Sequence, residues 1–225
     1  MPVTELALLR LRPGIEWPLA ALNANLRKAK KVMESASGLK FRYFRCIEDP
    51  ATIFIFGEWP SVEFHMTTFI PSQENQELLE LLKDQVTVEW MFHLDIDQSH
   101  RPLPWHTSVI AVGRHFVADG EKESFEATFE ANKHNLEAFI GGSDRVVGGW
   151  RIDKGVDPLL EGELKSEYVL ISGWSSVEQH YQFAETEGFQ KYGQIRNHLA
   201  GVEIKHAVRV DLENEAQAGA ASIDE

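Results

Sequence analysis

The chain has 225 residues, 43% of them apolar, and carries 22 basic against 35 acidic side chains for a net charge of −13. That length allows one or two domains with a sizeable core. The acid surplus argues against nucleic acid, whose phosphates require basic patches, and against an anionic membrane surface.

Thr4 to Leu11 reads as a first strand, closed by Pro13-Gly14. Trp17 to Ala36 has the helical period: Leu22, Leu26, Ala29, Met33 and Ala36 fall on one face, and Gly38 suits a C-cap. Phe41 to Ile47 and Thr52 to Trp59 are strands around the turn Glu48-Asp49-Pro50-Ala51. A short helix is expected from Pro60, a second amphipathic helix over Ser72 to Lys83, and a last strand over Val86 to Ile96. This first unit, residues 1–98, is β-α-β-β-α-β. Residues 99–104, with two prolines, form an expected linker.

The second unit, residues 105–213, repeats the order. Thr107 to Arg114 is a strand, and Glu121 to Ile140 a helix closed by Gly141-Gly142. Arg145 to Ile152 and Glu167 to Trp174 are strands flanking an insertion, Asp153 to Lys165, that has no counterpart of that length in the first unit. Ser175 to Ala184 and Phe189 to His198 are expected helices, and Val202 to Leu212 the final strand. Residues 214–225 read as a disordered tail, being Ala, Glu, Gly and Ser with little apolar bulk. Cys46 is the only cysteine, so no intramolecular disulfide or cysteine metal cluster can form; in a strand-like run it reads as a buried, inert thiol. No basic leader with an apolar core opens the chain, and no apolar run approaches the roughly 20 residues of a membrane span. A cytoplasmic protein is expected.

The repeat rests on a doubled motif. Trp59-Pro60-Ser61-Val62-Glu63-Phe64-His65 returns as Trp174-Ser175-Ser176-Val177-Glu178-Gln179-His180. Two β-α-β-β-α-β units carrying Trp-x-Ser-x-Glu-x-His resemble the dimeric α+β barrel superfamily, with its antibiotic-biosynthesis monooxygenase and stress-responsive A/B barrel families. The resemblance implies an α+β fold in which two ferredoxin-like repeats close into an eight-stranded α+β barrel. Here one chain supplies both, as in tandem members found in fungi. Closure would remove the open edges of each four-stranded sheet. The olivetolic acid cyclase branch uses a Tyr and a His downstream of the Ser-Val-Glu stretch. Those places fall at Phe183 and Phe189, and at Thr68 and Glu74, so neither unit carries that dyad.

Candidate residues follow from breaks in pattern. On helices, Val62, His65 and Phe69 share a face, as do Val177, His180, Tyr181 and Ala184, so both histidines should point inward. Each is either a proton shuttle or a structural imidazole bonded to backbone. Ser175-x-x-Glu178 reads as a capping box. In the last strands, Val86, Val88, Trp90, Phe92 answer to Val202, Ile204, His206, Val208. His206 is then a titratable residue in an apolar stripe, needing a partner or a wet cavity. His93 falls on the opposite, polar face. Asn132 interrupts the stripe Phe125, Phe129, Leu136 and should meet a partner, ligand or water. Trp150, Tyr168 and Trp174 would wall the same space, or serve as plain core. Arg114, at a strand end, would bind an anionic group or reach solvent.

There is no His-Glu-x-x-His, no cysteine pair, no Gly-x-Gly-x-x-Gly and no Walker loop, so neither a metal nor a nucleotide cofactor is expected. Haem held by one histidine is disfavoured, and the expectation is no cofactor. The leading expectation is a cofactor-free enzyme acting on an apolar, oxygenated, polyketide-like small molecule. It would catalyse cyclisation, aldol or another lyase-type step, with His206 as acid or base and His180 and Asn132 in support. The alternatives are a cofactor-independent monooxygenase of an aromatic or enolic natural product, and a non-catalytic, stress-associated or ligand-binding barrel. A homodimer is compatible with either. Catalysis predicts one open polar pocket; a structural protein predicts two filled cores.

Overall fold

The structure, a computed structural model, describes residues 1–154 and 166–212. The tail and most of the insertion expected from the sequence lie outside the described residues. The chain divides into two compact units.

The first unit comprises residues 1–93 with 153–154 and 209–212. Its elements are β1 (Val3–Leu11), α1 (Ala20–Ser37), β2 (Arg42–Cys46), β3 (Thr52–Trp59), a π-helical turn (Phe64–Phe69), α2 (Gln73–Leu82) and β4 (Val86–Leu94). The strand order is β4-β1-β3-β2, with β3 antiparallel to β1 and β2. The pairing Val3↔Trp59 to Arg10↔Thr52 fixes which side chains face α1. Leu22, Leu26, Ala29 and Met33 of α1 are buried against that face, with Leu9, Ile53, Ile55 and Met91. Gly38 at φ 72° ends α1 in the left-handed conformation, its N–H donating to Glu34 O. The sheet's other face is aromatic: Trp90 stacks on Phe92 and meets Phe54 at a tilt, with Phe56 beside Phe54. The helix expected from Pro60 is mostly a π-helical turn, in which Ile70 N donates to His65 O five residues back.

The second unit comprises residues 94–152 and 166–208 of those described. Its elements are β5 (Val109–Val117), α3 (Lys122–Ile140), β6 (Val146–Trp150), β7 (Glu167–Trp174), α4 (Val177–Phe183), α5 (Glu187–Tyr192), a 3₁₀ segment (Gly193–His198) and β8 (Leu199–Arg209). The order β8-β5-β7-β6 follows the same scheme, and β7 and β8 both run antiparallel to β5. Alternation puts Ala111, Gly113 and His115 of β5 on the helix side with Leu170, Ser172 and Trp174 of β7. α3 buries Phe125, Phe129, Leu136 and Ile140 there, and Gly141 at φ 90° closes it. The expected linker packs inside this unit: Leu103 is buried, and Arg101 donates to the carbonyls of Gly148 and Asp95. β8 begins and ends three residues earlier than the sequence period suggests. Among the described residues the chain is thus an α+β protein with eight strands. No helix among the described residues is long and apolar enough to cross a membrane.

Candidate functional site

In the second unit β7 ends at Trp174, and its indole N–H donates to Ser172 Oγ at 2.9 Å. Ser176, rather than Ser175, caps α4, accepting from Gln179 N, while the Gln179 side chain reaches back to Ser175 N. One turn on, His180 lies flat on Trp174, with centroids 4.1 Å apart and planes 16° apart. Its Nδ1 stands 2.7 Å from Nε2 of His206 on β8. The two histidines picked out from the sequence therefore form one dyad. At that separation the nitrogens share a proton, one donating and the other accepting.

The first unit holds the same arrangement. His65 stacks on Trp59 at 4.1 Å and 9°, and its Nδ1 lies 2.7 Å from Nε2 of His93. Trp59 Nε1 donates to Glu5 at 2.5 Å. Asp153 clamps His93 twice, accepting from its backbone N–H at 2.9 Å and bonding its Nδ1 at 2.6 Å. A carboxylate at Nδ1 makes that nitrogen the donor, so in the neutral ring Nε2 accepts from His65. Burial, and then the neighbouring His93, push the His65 pKa down to about 3, with Asp153 opposing them.

His93 corrects the sequence reading, which placed it on a polar face and set Trp90 opposite His206. His93 is fully buried and occupies the dyad position. His93, and not Trp90, therefore corresponds to His206, an odd shift of three positions along the strand. An odd shift exchanges the two faces of a strand. Trp90 and Phe92 belong to the aromatic face instead. The missed signal was a histidine late in both last strands.

The dyads differ in access. His65 and His93 are both sealed. His180 borders a groove holding about 60 Å³ of open space, shared with Trp174, His115, Tyr192, Phe189 and Ile204. Val202 and Ile204 are each more than 40% exposed and continue the groove as an apolar shelf. His115 Nδ1 bonds the Tyr168 carbonyl at 3.3 Å, and burial lowers its pKa to about 4, so it stands neutral with Nε2 as acceptor. Tyr192 is buried, which raises its pKa, and its hydroxyl has no hydrogen-bond partner among the described residues. His115 did not stand out because it falls beyond the strand expected over Thr107 to Arg114, and Tyr192 because it continues a helix pattern without breaking it.

The remaining candidates are placed elsewhere. Asn132 Nδ2 donates to Thr128 O at 2.9 Å, a bond within its own helix, and it does not line the groove beside His180. Arg114 neither ends at solvent nor faces the helices. It is buried on the opposite face, paired with Glu167 (Nε to Oε1, 2.5 Å), which also accepts from Arg151 at 3.1 Å. Trp150 and Tyr168 line a second pocket, away from Trp174. Cys46 is buried, and burial raises its thiol pKa.

No family model and no curated protein matches the chain. Solved structures do, at 8–13% identity over nearly the whole length. A protein of Fusobacterium nucleatum provisionally designated a monooxygenase is 10% identical, with 93% of each chain covered and a TM-score of 0.61. An anthrone oxidase-like protein is 13% identical over 93% of this chain and 92% of its own, with a TM-score of 0.59. A haem-binding protein of Thermus thermophilus is 8% identical over 97% and 95%, with a TM-score of 0.58. The chain shares the fold of these proteins.

The haem-binding neighbour corrects the expectation that no cofactor is used. The absence of cofactor motifs in the sequence carries no weight in a fold that one such protein uses to bind haem without a shared sequence pattern. As it stands, however, the groove beside His180 does not fit a macrocycle. Its 60 Å³ is well below the roughly 300 Å³ at which ligand pockets begin, and His180 Nδ1 is held by His206.

Proposed function

We propose that the chain is an oxidase- or monooxygenase-type enzyme acting on a small aromatic or enolic molecule, with the second-unit groove as its site. The observation that carries this reading is the asymmetry of the dyads: His65 and His93 are both sealed, whereas His180 borders an open groove. The sequence put cyclisation first; the monooxygenase and anthrone oxidase-like neighbours support the oxygenating alternative better.

The reacting edge of the substrate enters beside His180, while the rest lies on the Val202 and Ile204 shelf. Tyr192 Oη donates to its oxygen. His180 removes the acidic proton at Nε2, leaving Nδ1–H donating to His206 Nε2, so the positive charge spreads over both rings. The electron-rich enolate or phenolate then meets oxygen. The sealed dyad of the first unit has a structural role, fixing the turn after β3 to β4. We infer as well that the units are tandem copies of one repeat, since each has the same strand order and the same Trp-His-His arrangement.

Oxygen consumption with anthrone as the probe tests the reading. His206→Phe should fold normally and lose turnover by about 10²-fold or more, as expected for loss of half of a general base. Full activity in His206→Phe would remove the dyad from the chemistry.

A further inference from the structure

The second unit carries another pocket, of about 330 Å³, that shares no lining residue with the groove. It lies over Gly148 and Gly149 of β6. Its wall is aromatic: the Tyr168 ring is 5.2 Å from Phe129 and 5.1 Å from Trp150, centroid to centroid. Its rim is acidic, with Asp95, Glu126 and Glu130.

Two observations point to an occupant. Tyr168 is only 9% exposed, yet its hydroxyl has no hydrogen-bond partner among the described residues. That hydroxyl lies over Gly148, where a Cβ would come within 2.2 Å of it, so the glycine leaves it room at the pocket. The hydroxyl reaches the open space of the pocket and is available to a partner there. Second, the wall already holds one cation: Lys122 Nζ sits 4.3 Å above the Trp150 ring. Two further cations near the rim already have acceptors. Arg101 is engaged with the carbonyls of Gly148 and Asp95. Lys133 meets Glu130 at 2.7 Å in a largely exposed pair, which a competing ammonium can replace.

We propose that this pocket binds a small aliphatic amine through its primary ammonium. The ammonium lies beside the Phe129 and Tyr168 rings, donates to Tyr168 Oη and is neutralised by Glu126 and Glu130. The aromatic wall selects a cation over a neutral polar group, and the phenol selects an N–H donor over a quaternary centre. Glu126 already accepts from Trp150 Nε1 at 2.6 Å, which fixes its carboxylate in position and leaves it further acceptor capacity.

Calorimetric titration of the full chain with 1,4-diaminobutane at about 0.1 M salt tests this, since salt screens diffuse attraction to the acidic surface. Saturable binding to one site is expected. Tyr168→Phe keeps the ring and should weaken binding about tenfold, and Glu126→Gln with Glu130→Gln should weaken it at least as much. Tetramethylammonium, with no N–H, should bind about tenfold more weakly than the diamine. Circular dichroism checks that each variant is folded; should Tyr168→Phe unfold, the double carboxylate variant carries the test. Absence of saturation, equal binding by tetramethylammonium, or unchanged binding in the folded variants would overturn the proposal.

Discussion

Burial takes the His65 imidazole out of water and leaves it beside His93. That is why His65 titrates near 3, and burial holds His115 near 4 in the same way. Both pKa values lie below the ordinary 6.5, so below pH 6.5 the unfolded chain takes up protons that the folded chain does not. Stability contributed by the two neutral rings is complete above about pH 6.5 and is lost as the pH falls toward 4 and then 3. Glu5, whose pKa is raised by burial, works in the opposite sense. Denaturant melts between pH 6.5 and 5, above most carboxylate titrations, should show a falling midpoint. His115→Leu should reduce that slope by about 1 kcal/mol per pH unit. An unchanged slope would mean that His115 is solvated in the folded protein. At this scale the doubled Trp-to-His motif gave away His65 and His180, and the break in an apolar stripe gave away His206. His93 was hidden by a three-residue difference between the last strands, and Asp153 because it is remote in sequence from the ring it orients.

Among the elements, the two units differ where a single strand position differs. Gly57 lies opposite Glu5, and Ser172 lies opposite Ala111 in the matching register. The indole of Trp59 accordingly bonds Glu5, while that of Trp174 bonds Ser172. Gly57 cannot change in the same direction, because a Cβ there would come within 2.1 Å of the Phe41 ring. Gly57→Ala should therefore cost roughly 1–3 kcal/mol by overpacking, read as a melting temperature lower by several degrees. A melting temperature equal to that of the parent would show that Phe41 has room to move. Helix and strand periods in the sequence placed every main element, since Gly38 and Gly141 punctuate two helices and alternation marks the strands. The π-helical turn at Phe64–Phe69 had no such signature: its shift from i→i+4 to i→i+5 bonding follows from where His65 must meet Trp59 and His93.

For the whole molecule, the acid surplus and the absence of nucleotide motifs narrowed the function classes, but the reaction was not legible. The proposed substrate contact comes from Tyr192, which fits its element's apolar pattern and so leaves no mark in a single sequence. The tandem arrangement, proposed from the repeat, makes its own prediction. Residues 1–100 expressed alone should self-associate or precipitate, because a four-stranded sheet by itself has two open edges. A soluble, monodisperse half would contradict it. The most direct test of the central claim compares the two dyads in one assay. Oxygen uptake with anthrone should fall about 10²-fold or more in His180→Gln and stay within a few-fold of the parent in His65→Gln, both measured on folded protein well below its melting temperature. Equal loss in both variants, or loss only in His65→Gln, would contradict a catalytic site in the second-unit groove.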